Sequence, residues 1–205
     1  MSNTLGNEGI QWQFIPARAP NFGGLWKAAV KSCKHHLRRI LVKSLLKYEK
    51  FSTLLAQVEA VLNSRPLVLL SSSPDDLEVL TPSHFFIERK LTKAPDPSLK
   101  EIPVNHLSRW QHVQMLHQHF WSRWSSEYLA ELQQRQKWMK NSNNLQTGQL
   151  VIIKEDNLPP SQWRLGRVKK LFCGPDGNVR VVLVKIQLGE YKRSILKLCP
   201  LPEQS

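Results

Sequence analysis

Pro16-Ala-Arg-Ala-Pro-Asn-Phe-Gly-Gly-Leu-Trp-Lys-Ala-Ala-Val-Lys-Ser-Cys-Lys-His-His-Leu-Arg38 reads as a loop that turns into a helix. Pro16, Pro20 and the Gly23-Gly24 pair disfavour a regular element before Leu25. From there Trp26, Ala29, Cys33, Leu37, Ile40, Leu41 and Leu45 recur at helical spacing. Between them Lys27, Lys31, Lys34 and Arg38 are separated by steps of four, three and four, which puts all four cations on one face. Like charges stacked this way repel, so the stripe is costly unless an anion neutralises it. A solvated surface face is the plain alternative; a helix laid along nucleic-acid phosphates is the sharper one.

Upstream, Ile10-Gln-Trp-Gln-Phe-Ile15 alternates apolar and polar residues and predicts a strand. A lone strand makes no sheet, so its partners are expected outside this chain. Downstream, Phe51 to Asn63 predicts a second helix with Leu54, Leu55, Val58, Val61 and Leu62 on its apolar face. Ser52 is a candidate cap, and Arg65-Pro66 ends the helix because proline disfavours helix at the residue before it. Thr81-Pro82 can open a short helix, with Thr81 as N-cap.

Three prolines between residues 93 and 104 predict a linker. Asn105 to about Lys140 then predicts one long helix, lined by Val113, Leu116, Phe120, Trp124, Tyr128 and Leu132. Its tryptophans, Trp110, Trp121, Trp124 and Trp138, suit core packing; interleaved with Arg109, Arg123, Arg135 and Lys137 they also suit base stacking. Beyond Asn141–Asn144 the pattern changes. Gln149–Lys154, Trp163–Phe172, Asn178–Ile186 and Arg193–Leu198 predict four short strands, with Asp176-Gly177 as a hairpin turn. That succession predicts a small SH3-like β-barrel, and the class of the whole is α+β.

The net charge of +13 favours an anionic partner, nucleic acid before a membrane surface. Cys33, Cys173 and Cys199 are widely separated and odd in number, which suits reduced intracellular thiols. No apolar run approaches the ~20 residues of a membrane span, and the polar N-terminus carries no secretory signal pattern. The expectation is an intracellular protein that does not enter a membrane.

Trp12-Gln-Phe-Ile-Pro followed by Ala19-Pro-Asn-Phe-Gly-Gly-Leu-Trp-Lys-Ala-Ala-Val-Lys-Ser resembles the end of the catalytic core of LTR-retrotransposon integrases, most nearly the BEL/Pao group. Leu62-Asn-Ser-Arg-Pro-Leu67 and Leu80-Thr-Pro-Ser-His-Phe-Phe-Ile87 resemble the family segments that follow, although a family Gly is Glu88 here. The strand succession resembles the family's C-terminal domain. The resemblance implies four parts: residues 1–92 as the remnant of an RNase H-like core, 93–104 as linker, 105–144 as a helical segment and 145–203 as an SH3-like barrel. It implies DNA integration as the ancestral process, DNA as partner (an element end or non-specific duplex), association with integrase-like multimers, and a nuclear location.

The D,D,E mechanism of that family needs three carboxylates on divalent metal. Its final Glu position is Lys27 here, and no Asp occurs before Asp75. No catalytic residue and no cofactor are therefore expected; Mg2+ serves the family, but its ligands are absent. Glu59 and Glu78 are unpaired at any suitable spacing, and His106, His112, His117 and His119 have no cysteine partners for zinc. What remains is DNA binding. The resemblance puts Lys31 and Lys34 on the element's DNA end, with Lys27 and Arg38 extending the stripe. The strands add Arg164, Arg167, Lys169, Lys170, Arg180, Lys192 and Arg193, with Arg167 and Lys169 on one face by alternation. The rival expectations are a protein-interaction module or dominant-negative partner of active integrases, a non-functional relic, and a nuclease that recruits acids from elsewhere. Residues from about Asn105 onward are expected to form the more stable unit.

Overall fold

The computed structural model describes residues 24–42, 44–70, 76–92, 94–133, 145–175, 177 and 179–202. The expected strand at Ile10–Ile15 and the residues Trp138, Arg135 and Lys137 lie outside them. In order, the elements are α1 (Gly24–Leu41), α2 (Tyr48–Asn63), β1 (Val68–Leu69), β2 (Val79–Leu80), α3 (His84–Ile87), a 3-10 turn (Val104–His106), α4 (Arg109–Leu132), β3 (Leu150–Ile153), β4 (Leu165–Cys173), β5 (Val179–Ile186), β6 (Gly189–Ser194), a 3-10 turn (Ile195–Lys197) and β7 (Leu198–Pro200). The fold is α+β: among the described residues, three long helices lie beside a five-stranded antiparallel sheet and a separate two-stranded one.

Several boundaries differ from those predicted. Helix α1 stops at Leu41, and Leu45 is fully exposed rather than continuing its apolar stripe. Helix α2 starts at Tyr48 after Lys47, so Ser52 lies inside it and caps nothing. Helix α4 starts at Arg109, four residues later than predicted, because Ser108 forms a capping box with Gln111: the Ser108 hydroxyl accepts from the Gln111 amide, and the Gln111 side chain accepts from the Ser108 amide. It ends at Leu132. Ser83, not Thr81, precedes α3, and the Thr81 hydroxyl instead meets Ser83 Oγ and His84 Nδ1, each at 2.8 Å.

Helix α4 is the element the others cover. Its Val113, Leu116, Phe120, Trp121 and Trp124 meet Leu37 of α1 and Leu54, Val58 and Val61 of α2 in one core. Leu54, Val61 and Phe120 have no accessible surface, and burying each such side chain contributes ~1.5–3 kcal/mol. The C-terminal end of α4 turns to the sheet, where Leu129 packs with Leu150, Ile152, Cys199 and Leu201. Around Trp163, just before β4, an aromatic group joins both regions: its ring centroid is 4.8 Å from Trp121 and 5.5 Å from Tyr128. Trp163 Nε1 donates to Ser64 Oγ at 3.3 Å, and Tyr128 donates to the Pro66 carbonyl. The proline-rich segment is pinned as well. Gln118 accepts from the Leu99 amide and donates to the Pro97 carbonyl, both at 2.8 Å.

The sheet runs β6-β5-β4-β3-β7, every pair antiparallel. The single strand predicted at Arg193–Leu198 is instead the end of β6, a 3-10 turn and β7. Strand β6 went unseen because a two-residue turn, Gln187-Leu188, precedes Gly189 without a typical hairpin dipeptide; Gly189 takes φ +136°. The β1–β2 hairpin was also unpredicted. Among the described residues no pairing joins β6 to β7, so the hydrogen-bonded ladder does not itself close into the expected barrel.

One face of the sheet is a core of Val151, Ile153, Val168, Val182, Val184, Ile186 and Leu198. Gly166 belongs there because a Cβ would collide with Val184 and lie 3.0 Å from Ile186. The opposite face is covered by α4 only along β3 and β7, which explains why all four residues of β3 are buried. Past Arg167, along the rest of β4 and along β5 and β6, that second face carries Lys170, Phe172, Val181 and Lys192, each exposed or half-buried.

Candidate nucleic-acid interface

Helix α1 is held in one rotational setting. Leu37 is buried, and Cys33, Ile40 and Leu41 pack against the helical core. His36 is also buried; its Nε2 lies 2.8 Å from Glu127 Oε2 of α4, and Ser32 donates to Glu127 Oε1 at 3.2 Å. Burial pushes the His36 pKa down, and the nearby His35 and Arg39 add to that, while Glu127 opposes it. With the apolar face and this polar pair anchored on α4, the opposite face must point outward. Lys27, Lys31, Lys34 and Arg38 are all exposed on it. Helical spacing alone brought these four together, and the packing of α1 turns them to solvent.

The sheet cations do not form one set. Arg167 is 7% exposed and is not a surface residue. Its guanidinium donates to the Gly148 and Asp76 carbonyls, each at 2.8 Å, where the edge of the covered face meets the chain before β2. The register shifts between Val168 and Lys170, so a bulge at Lys169 breaks the alternation on which a shared face for Arg167 and Lys169 was expected. Arg164 pairs with Glu155 at 3.4 Å, which offsets its charge at the surface. Lys169, Lys170 and Arg180 are exposed.

Lys170 stands on the open face with a neighbour that sequence reading left out of the site. Its Nζ lies 5.6 Å from the Phe172 ring centroid, and Lys192 Nζ of β6 lies 5.0 Å from the same centroid. Phe172 pairs across β4–β5 with Val181, itself exposed, and Lys170 pairs with Leu183, which pairs with Lys192. The signal in the sequence was an aromatic residue two positions after a lysine in a strand; the second lysine arrives only through strand pairing.

The aromatic residues of α4 divide. Trp121 and Trp124 are buried in the core, while Trp110 is 59% exposed. The histidines of this region serve the helices: His117 is buried, and His112 Nε2 lies 3.4 Å from Ser44 Oγ. Glu59 and Glu78 are exposed on α2 and before β2. Among the described residues no three histidines, cysteines or acids come together. The divalent metal that the integrase resemblance implies does not fit this chain, since an exposed lysine ammonium at position 27 repels the ion a carboxylate would hold.

A family model described only as a family of unknown function, DUF5641, matches residues 108–201. The match begins at the N-cap of α4 and runs through the last strand, leaving α1 and α2 outside it. No curated protein and no solved structure matches the chain. Among the described residues no helix is long and apolar enough to cross a membrane.

Proposed function

We propose that this chain binds DNA through its phosphate backbone, with little sequence preference, and does so without catalysing strand transfer. The observation that carries this reading is the face of α1: four cations in register, all exposed, on a helix whose other side is anchored to α4. A row of like charges is unfavourable in the free protein and is relieved by phosphates. Backbone contacts of this kind position a protein on DNA but read no bases. The exposed Lys169, Lys170, Arg180 and Lys192 of the sheet supply a second cationic region. The antiparallel strand order, with a 3-10 turn between the last two strands, supports an SH3-like reading of the sheet. The substitution of lysine for the final acid of the integrase pattern removes a metal ligand and adds a phosphate ligand. The chain then acts inside the cell, in the nucleus, as a DNA-binding piece of an integrase-like protein.

Fluorescence anisotropy with a short duplex tests this. Four phosphate contacts predict a log–log salt slope of about −3.6, or roughly a hundredfold weaker binding at 200 mM than at 50 mM salt. Lys31→Glu with Lys34→Glu should reduce the slope by about half. Unchanged affinity in that double variant refutes the α1 interface.

A second reading, a protein-interaction module or dominant-negative partner within integrase-like multimers, draws on one observation. Phe85, Phe86 and Ile87 of α3 are exposed side by side, at 70%, 75% and 44%. Association through that patch would depend weakly on salt, in contrast to phosphate binding.

A further inference from the structure

We infer that the open face of β4, β5 and β6 is a stacking platform for an unpaired base of a nucleic-acid strand, with Phe172 as the platform and Lys170 and Lys192 as its phosphate clamps. The inference rests on the nucleic-acid reading above but assigns a different surface and a different form of the ligand.

The pairing register makes the platform. Leu171 points into the sheet core, so Phe172 beside it points the other way. Across the ladder, Phe172 meets Val181 and Ser194 in one row, and Lys170 meets Leu183 and Lys192 in the next. The two ammonium groups therefore approach one ring from different strands, at 5.6 and 5.0 Å from its centroid. Both distances lie within the reach of a cation–π contact. Two cations over one ring repel each other, and the ring quadrupole compensates only in part. The nearest acid on this face in the ladder, Glu190, is directly opposite Lys185. The row holding Lys170 and Lys192 contains no carboxylate, so the platform keeps its positive sign.

That chemistry selects the ligand. An aromatic face offers its surface to another flat π-system, and every base has one. In a duplex both faces of every internal base are covered by its neighbours, so along a strand it is an unpaired base that can lie on Phe172. As the base slides over the ring it displaces one lysine, whose long stem carries the ammonium outward to a flanking phosphate. Val181, 38% exposed beside the ring, extends the apolar floor under the base. The plain alternative is that the lysine stems simply cover an apolar ring.

Anisotropy on the full chain, with a labelled short oligothymidylate and a labelled duplex in the same low-salt buffer, decides between them. Phe172→Leu keeps the apolar volume and removes the π-face, and Phe172→Trp enlarges it. The expected result is that Phe172→Leu weakens oligothymidylate binding by about five- to hundredfold, that Phe172→Trp restores or strengthens it, and that duplex binding shifts by less than about twofold. If Phe172→Leu binds oligothymidylate as the native chain does, the platform is refuted while duplex binding by α1 stands. If the native chain binds oligothymidylate through Phe172 but ignores duplex, the platform stands and the α1 reading falls. Binding of neither probe overturns both.

Discussion

Arg167→Met separates a structural arginine from a DNA-binding one. The side chain is nearly buried, and its two terminal nitrogens each donate at 2.8 Å, one to the Gly148 carbonyl and one to the Asp76 carbonyl. These bonds tie β4 to the turn before β3 and to the segment leading into β2. A hydrogen bond from a charged donor contributes ~1.5–3 kcal/mol, so the two together are worth about 3–6 kcal/mol before corrections. Two corrections reduce this. Gly148 is exposed and its carbonyl can rehydrate, and methionine relieves the cost of holding a charge out of water while keeping the apolar stem packed. A loss of about 2–3 kcal/mol is expected, a large share of the ~5–15 kcal/mol that holds a typical domain together. In urea denaturation this appears as a midpoint lowered by about 1 M with an unchanged slope. Duplex affinity, measured where the protein is folded, should not move. Arg167→Lys sharpens the comparison: one ammonium cannot span both carbonyls as the guanidinium fork does, so stability still falls, whereas a phosphate contact would tolerate the change. A native urea midpoint for Arg167→Met, combined with weaker DNA binding and a salt slope smaller by about one, would refute the structural role and return Arg167 to the DNA interface.

Other expectations follow from the same packing. Burial lowers the pKa of His36, His112 and His119, so these rings take up protons less readily in the fold than in the unfolded chain. Below their unfolded value near 6.5 the unfolded chain takes up protons first, so the melting temperature should fall as pH drops from about 6.5 toward 5, and His36→Gln should flatten the fall; a rise in melting temperature on acidification would contradict this. A fragment of residues 105–202 exposes the face of α4 that α1 and α2 cover, including Val113, Leu116 and Phe120. It should bind a hydrophobic dye strongly and melt without a cooperative transition, contrary to the expectation that this part is the more stable unit; a cooperative, dye-silent fragment would show that the sheet suffices. Gly166→Ala drives a methyl group into Val184 and Ile186 and should cost about 1–3 kcal/mol, read as a lower melting temperature with DNA binding intact at low temperature.

The local patterns were legible in the chain. Helical spacing identified α1, α2 and most of α4, because one face of each is apolar at a period near 3.6. The apolar run Leu-Val-Ile-Ile identified β3, and Gly177, at φ +74°, lies between β4 and β5 as expected, while Asp176 lies outside the described residues. What escaped depends on contacts distant in sequence or on quiet turn chemistry. Ser108 and Gln111 moved the start of α4, the Gln187-Leu188 turn hid β6, and a bulge at Lys169 reversed the side on which its neighbours were expected.

The cation stripe of α1 was determined by sequence alone, because residues three and four apart on a helix share a face whatever surrounds it. Its exposure was decided by tertiary structure, through Leu37 and His36 anchored on α4. The same distinction divides the sheet cations: charge is a property of the residue, but whether it reaches a ligand depends on which groups, remote in the chain, fold around it. Arg167 is consumed by the Asp76 and Gly148 carbonyls, while strand pairing brings Lys192 to the Phe172 ring that Lys170 already reaches along its own strand.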